Sequence, residues 1–297
     1  MITIKTPATS ANVGPGFDCF GLAFDLYNTF EVELSDQDIL ENVEDRFNNP
    51  DNIFLKAYHL GCEAIGIHDH IHAIFHTEIP VSRGLGSSAS LICGGLFACS
   101  ALHNNALSKD QIFQFASQLE GHPDNAAPCI YGGFTASLAF DHHFFTQHLT
   151  LDNAWKYTLF VPDFEVSTQK ARAILPDSYD RKTSASNGAH AALLIEALRT
   201  GDMDLLKISA VDAIHEPYRK QLIHEFDDVK NIVSKYGVFL ISGSGSTCLL
   251  ISKDPVSQVD KDAINGLKCN WKILRTYCSF LGESSGKTIF VLVNPRI

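Results

Sequence analysis

The residues best suited to do chemistry begin with the run Pro80-Val81-Ser82-Arg83-Gly84-Leu85-Gly86-Ser87-Ser88-Ala89-Ser90, which leads into the apolar stretch Leu91 to Leu102. Two glycines and then four small residues leave no side-chain bulk, so backbone N–H groups can close around an anion where a helix begins. The aligned peptide dipoles put roughly half a positive charge at that helix end, so such a loop holds polyphosphate without many cations. A second candidate is Glu120, a carboxylate in the last turn of a predicted helix that ends at Gly121. It faces the negative end of the dipole at a cost of a few tenths to about 1 kcal/mol. A bound cation reverses that penalty, which makes Glu120 a candidate magnesium ligand rather than an indifferent surface group.

Three further stretches place polar groups beside glycine or proline. Pro7 to Asp18 sets Ser10, Asn12 and Asp18 in a segment that reads as neither helix nor strand. Taken alone, it is equally an ordinary turn whose Asn and Asp bond their own backbone. His122-Pro123-Asp124-Asn125 followed by Gly132-Gly133 reads as a second wall of a site, and Ser242 to Thr247 as a glycine loop between two short strands, the pattern of a hairpin turn. His68, His70, His72 and His76 alternate along a strand and read as a solvated face, because the neighbourhood offers no thiolate to complete a metal site.

These groups need elements to hold them. Ile2 to Lys5 and Tyr27 to Leu34 alternate as strands. Ile53 to Ile67 reads as a helix capped by Asp51-Asn52, and Ser108-Lys109-Asp110-Gln111 as a capping box opening the helix that ends at Glu120. The histidine-rich, irregular stretch Asp141 to His148 is the best domain boundary, giving units 1–150 and 151–297. In the second unit Tyr157 to Val161 is a strand, Thr168 caps a helix carrying Lys170 and Arg172, and Ser186 to Arg199 and Met203 to Ile214 are amphipathic helices. Ile273-Leu274 and Thr288 to Val293 supply further strands.

Composition excludes several function classes. Acidic residues outnumber basic ones 34 to 23, for a formal charge of −11, so no basic surface is evident for nucleic acid. The start Met1-Ile2-Thr3-Ile4-Lys5 is not that of a signal peptide, and no run approaches the ~20 apolar residues of a membrane span. The eight cysteines are scattered without a C-x-x-C pair, which reads as reduced, buried thiols in a cytoplasmic protein.

Three phosphate-binding patterns compete for the opening run. A Walker A loop needs a lysine after Gly86, and none is present. Gly84 to Ala89 matches G-x-G-x-x-A, but Pro80 interrupts the strand that a dinucleotide fold runs into its first glycine, and Asp110 sits in a helix cap. The third is a resemblance: Pro80 to Ala89 resembles P-x-x-x-G-L-G-S-S-A of the GHMP kinases. Pro7 to Asp18 and Glu120 to Asn125 resemble the homoserine-kinase branch in particular, and Ser242 to Thr247 the third glycine-rich motif. The match runs in order from Ile2 to about Ile251.

The resemblance implies a two-domain α+β fold, with a left-handed β-α-β crossover in the N-terminal domain, a ferredoxin-like C-terminal domain and the substrate between them. It implies transfer of the ATP γ-phosphate to the hydroxyl of L-homoserine in threonine biosynthesis, with Mg2+, and a homodimer as a family expectation. Carried over by position, Pro80, Arg83, Gly84, Leu85, Gly86, Ser87, Ser88, Ala89 and Ser90 would hold the phosphates, with Asn52 near the base. Ser88 and Glu120 would hold magnesium. Asn12 and Asp18 would meet the substrate hydroxyl and ammonium, with His122 beside them; Thr168 with Arg172, and Arg219, match motifs that grip the carboxylate, and Gly243, Ser244 and Gly245 would close the pocket. Relatives such as mevalonate kinase carry an Asp base seven residues before the Gly-Gly; Asn125 stands there and cannot accept a proton. Catalysis then rests mainly on positioning and on charge stabilisation by magnesium and the helix N-terminus, with Asn12, Ser88, Glu120 and Asn125 as the catalytic candidates. The alternatives are a kinase for another small alcohol and a catalytically silent sensor on the same fold.

Overall fold

A computed structural model describes residues 1–279 and the backbone of the strand at 288–290. The chain opens with β1 (Ile2–Ala11) and β2 (Phe20–Ser35), paired antiparallel. β1 runs through Pro7, where the sequence reads as broken; the register slips between Pro7 and Ala8, a bulge that accommodates a residue with no N–H to donate. The loop proper is therefore Asn12 to Cys19. There follow β3 (Ile39–Glu41), α1 (Ile53–Ala64) and β4 (His70–Thr77). β3 and β4 are adjacent and parallel, so β3-α1-β4 is a β-α-β unit. α2 (Ser87–Leu102), α3 (Lys109–Glu120) and α4 (Ala126–Tyr131) then cover the sheet, followed by β5 (Phe134–Phe140) and β6 (His143–Leu149).

The stretch Asp141 to His148 is not irregular. β5 and β6 pair along their whole length around Asp141 and His142, both left-handed at φ 49° and 60°. That is the backbone of a tight two-residue hairpin turn, reached here without the Asn-Gly or Asp-Gly that usually announces it. β6 thus belongs to the first sheet, and the change of sheet falls between Leu149 and Lys156.

The remaining elements are β7 (Lys156–Pro162), α5 (Thr168–Ala173), α6 (Arg181–Thr200), α7 (Met203–Ser209), α8 (Glu216–Arg219), α9 (Phe226–Val233), β8 (Gly237–Ile241), β9 (Cys248–Ser252), α10 (Gln258–Asn265), β10 (Trp271–Thr276) and β11 (Thr288–Phe290). The second sheet has the order β10-β7-β9-β8 with every pair antiparallel. With helices after its first and third strands, this is the ferredoxin-like plan. β11 returns to pair with β1 of the first sheet; positions 291–293 of the expected last strand lie outside the described residues. The cap of α5 is Ser167, whose hydroxyl accepts from Lys170 N–H, one residue earlier than expected. α7 stops at Ser209 rather than Ile214, because Asp212 turns the chain by accepting the N–H groups of His215 and Glu216.

One apolar cluster joins the two sheets, from Ala8, Leu22 and Phe24 of the first to Tyr157, Leu159 and Leu249 of the second. Another lies between the first sheet and its helices, where Phe30, Phe54 and Phe75 meet with ring centroids 4.9 to 5.0 Å apart. α2 reaches this cluster through Gly94 and Gly95. A Cβ on Gly95 would stand 2.2 Å from the Phe54 carbonyl oxygen of α1, so α1 and α2 touch backbone to backbone. Ala ordinarily favours a helix over Gly by about 1 kcal/mol. Here we expect the sign to reverse: Gly95→Ala should destabilise by roughly 1–3 kcal/mol, the usual range for overpacking, measured by urea unfolding.

Candidate active site

The phosphate-loop geometry is set by close backbone approach. Gly84 and Gly86 are left-handed at φ 70° and 65°, and Gly86 caps the N-terminus of α2. A Cβ on Gly84 would stand 2.2 Å from the Ser242 carbonyl oxygen, and one on Gly86 1.9 Å from Thr9 Oγ1. The loop is held from β1 by Thr9, whose N–H donates to Leu85 O (3.1 Å), and from the Ser242 loop, whose Ser242 hydroxyl lies 2.7 Å from Gly84 O and whose Thr247 N–H donates to Arg83 O (3.0 Å). The Ser242 to Thr247 segment therefore braces the phosphate loop from behind.

Not every residue of the run faces outward. Leu85 is in the core that joins the sheets, and Ala89 is buried. Ser90 is also buried: its hydroxyl bonds Thr6 Oγ1 at 2.7 Å and Asn28 Nδ2 at 3.0 Å, and its N–H donates to Gly86 O. Ser90 is thus turned into the protein and lies outside the cleft lining, contrary to its assignment from the motif. Arg83 spends its guanidinium on the carbonyls of Pro162, Asp163 and Val81 and on Glu165, tying the loop to the second half. Gly84, Gly86, Ser87 and Ser88 line the cleft, whereas Pro80 and Gly245 lie outside its lining.

This cleft has a volume of about 680 Å3 and runs between the two halves. At one end Val43, Phe47, Ile53 and Phe75 make an apolar wall, with Asn52 at its edge. Asn52 caps α1 by accepting Phe54 N–H (2.9 Å) and donates to Phe47 O (2.9 Å), so both amide atoms help shape this end.

At the other end stand Asn12, Asp18, Thr168, Arg172, Arg219, Gly243 and Ser244. Asn12, left-handed at φ 71°, accepts Asp18 N–H and donates to Gly243 O. It fastens the first loop to the Ser242 loop. Asp18 and Arg172, assigned to opposite ends of a zwitterion, bind each other in a bidentate pair of 2.7 and 3.0 Å. Arg219 is 2% exposed and donates to Ala171 O and Gly243 O. Burial, reinforced by the neighbouring Arg172 charge, pulls its pKa down to about 10. Phe17 lies against both guanidiniums, 5.1 and 5.7 Å from its ring centre, and stacks on buried His215. Thr168 is exposed, its hydroxyl 3.5 Å from that of Ser244.

Between the two ends lie the carboxylates. Burial raises the pKa of Glu120, against the pull of Ser88 and His122 beside it. Its Oε1 is buried and makes no hydrogen bond. An unpartnered buried carboxylate oxygen with the Ser88 hydroxyl beside it fits a hard divalent cation. Asn125 Oδ1 accepts the Thr9 hydroxyl at 2.8 Å, locking α4 to β1. Asp124, 1% exposed, accepts His122 Nδ1–H at 2.6 Å. Sequence reasoning named Asp124 only as a neighbour and missed Thr9 and Phe17. Thr9 lies inside the first motif, the one signal that pointed to it.

The descriptions GHMP kinases N terminal domain and GHMP kinases C terminal match residues 52–133 and 194–261. A homoserine kinase of Clostridium botulinum (strain Okra / Type B1) is 37% identical over 290 residues, covering 95% of this chain and 97% of that protein. One from Caldicellulosiruptor saccharolyticus is 34% identical, covering 98% and 97%. The crystal structure of homoserine kinase from Cytophaga hutchinsonii superposes with a TM-score of 0.85 at 28% identity, covering 94% of this chain and 95% of that one.

Burial works against charge on His122, but the hydrogen bond and negative charge of Asp124 outweigh it and raise its pKa. A raised folded-state pKa gives stability that is full below the unfolded value, about 6.5, and is lost as pH rises through the folded value. We expect the Tm of the wild type to fall relative to that of His122→Gln as pH increases above about 6.5, measured by thermal melts from pH 6 to 9.

Proposed function

Because this chain belongs to the GHMP kinases, and to the homoserine kinases among them, we propose that it transfers the γ-phosphoryl group of ATP to the side-chain hydroxyl of L-homoserine, giving O-phospho-L-homoserine for threonine biosynthesis. The observation that carries this reading is the pairing, in one cleft, of a helix N-terminus bare of side chains with Asp18, Arg172 and Arg219 at the opposite end. A phosphoryl donor needs the first, and a zwitterionic amino acid needs both signs of charge in the second.

The N–H groups at the start of α2, next to Gly86, bind the phosphates, and the apolar wall of Val43, Phe47 and Phe75 takes the base. Glu120 and Ser88 hold magnesium, which supplies charge neutralisation on the phosphate oxygens. On the acceptor side Asp18 receives the ammonium, and Arg172 with Arg219 the carboxylate. Substrate entry then exchanges one salt bridge for two, so the Asp18–Arg172 pair keeps both groups aligned while the pocket awaits its ligand. Asn12 and Asn125, whose amides are engaged with the protein, act by holding the loops in register. No base stands at Asn125, as a loose phosphoryl-transfer transition state permits.

Among the described residues no helix is long and apolar enough to cross a membrane. All eight cysteines are free, which with the need for ATP supports a reducing cytoplasm as the compartment.

An ATP-consumption assay should give turnover with L-homoserine and little with L-serine or L-threonine; no activity with any of the three would refute the reading. Removing a charged hydrogen-bond partner costs about 1.5–3 kcal/mol, so Arg172→Ala should raise the homoserine KM by roughly ten- to a hundredfold with a smaller effect on kcat. Asn125→Ala should keep substantial turnover, since it removes a brace and not a base. Near-total loss of kcat with homoserine binding intact would show that Asn125 takes part in the chemical step.

A further inference from the structure

A second cluster of reactive side chains sits at the far ends of the two helices that serve the cleft. Cys62, two turns and more from the capped start of α1, and Cys99, three turns along α2, place their sulfurs 3.6 Å apart. His103, just past the end of α2, brings a ring nitrogen within 4.8 Å of both sulfurs. Its Nε2 lies 3.0 Å from Asp69 Oδ2 and its Nδ1 2.8 Å from the Cys99 carbonyl oxygen. Both cysteines are buried, at 1% and 0% exposure. The site opens outward through Asp69, whose side chain is 45% exposed.

Tyr58, one helical turn before Cys62 on α1, is fully buried, and its hydroxyl has no partner other than the Cys62 thiol beside it. The same polar cluster thus extends along α1 from Tyr58 to Cys62.

We propose that Cys62, Cys99 and His103 supply three ligands of a zinc site that ties α1 to α2, with a water molecule as the fourth. Two sulfurs bound to one tetrahedral zinc at about 2.3 Å are separated by roughly 3.7–3.8 Å, close to the spacing already present. Two thiolates and an imidazole select a borderline-soft cation over magnesium or calcium. Asp69 on Nε2 makes the carboxylate–histidine arrangement common behind metal-bound imidazoles, which leaves Nδ1 to exchange the Cys99 carbonyl for the ion. Binding releases the thiol protons to solvent and changes no oxidation state. None of the three residues lines the cleft; the helices that carry them reach it at their capped N-termini, Asn52 of α1 and Gly86 of α2.

The test uses the reduced, full-length protein and Co2+ as a spectroscopic probe. Titration should produce thiolate-to-cobalt charge-transfer absorption and the intense d–d bands of tetrahedral Co2+, saturating at one ion per chain and displaced by Zn2+. The absorption should vanish in Cys62→Ser and in Cys99→Ser, and persist in Cys248→Ser, a buried cysteine of β9. Zn2+ should raise the Tm of the wild type and not that of the first two variants. The idea is overturned if the wild type gives no thiolate–cobalt absorption while its thiols titrate as free. It is overturned equally if the thiolate charge transfer survives in the Cys62→Ser/Cys99→Ser double variant, which would place the ion on other cysteines, or if wild type and double variant give the same d–d bands without charge transfer, which would place it on the surface group Asp38, His59 and His70. Because the wild-type titration alone can refute it, the proposal does not depend on the variants folding.

Discussion

The structure depends on backbone packed against backbone at the phosphate loop. Gly84 and Gly86 sit where any side chain would strike Ser242 or Thr9, so β1, the loop and the Ser242 turn converge without side chains between them. This contact fixes the start of α2 against both sheets at once. The N–H groups at that start are then presented at a rigid place, with no side chain competing for them. The same principle recurs where Gly95 meets Phe54, so the helix that carries the phosphate site is located at its first turn and again at its third.

The acceptor end is organised by charge rather than by packing. Asp18 and Arg172 neutralise each other, while Arg219 is buried on two carbonyls and shares the face of Phe17. This buried guanidinium is held in place by the protein itself, and burial with the Arg172 charge beside it lowers its pKa to about 10. Glu120 shows the opposite sign: burial raises its pKa, and its orphaned oxygen asks for a cation. The cleft thus sets a buried carboxylate beside the start of α2 apart from two guanidiniums at its far end.

Legibility in the sequence was uneven for identifiable reasons. The capping box at Ser108 and the cap at Asn52 follow from local hydrogen bonding and appear where expected. The histidine strand is a solvated face, with His72 and His76 paired to glutamates on neighbouring strands and His70 near Asp38. Local reading failed where tertiary contacts override propensity. Pro7 to Ala11 became strand because β2 offers it a partner and a bulge, and Asp141 to His148 became a hairpin because its turn adopts the left-handed conformation without glycine.

The sequence by itself determined the kind of chemistry. Gly84 to Ser88, Glu120, Arg172 and Arg219 are residue types whose backbone freedom or charge dictates what they can bind, and their order along the chain matches a single family. What it could not determine is which of these groups are free to act. Ser90 belongs to a binding motif yet spends its hydroxyl on Thr6 and Asn28; Asn12 and Asn52 spend their amides on the chain itself. The Asn52 cap is local, but for Ser90 and for the Asn12 bond to Gly243 only the tertiary structure decided this, because a polar side chain is available to a ligand only when no other part of the protein already satisfies it, and those partners lie 62 to 231 residues away.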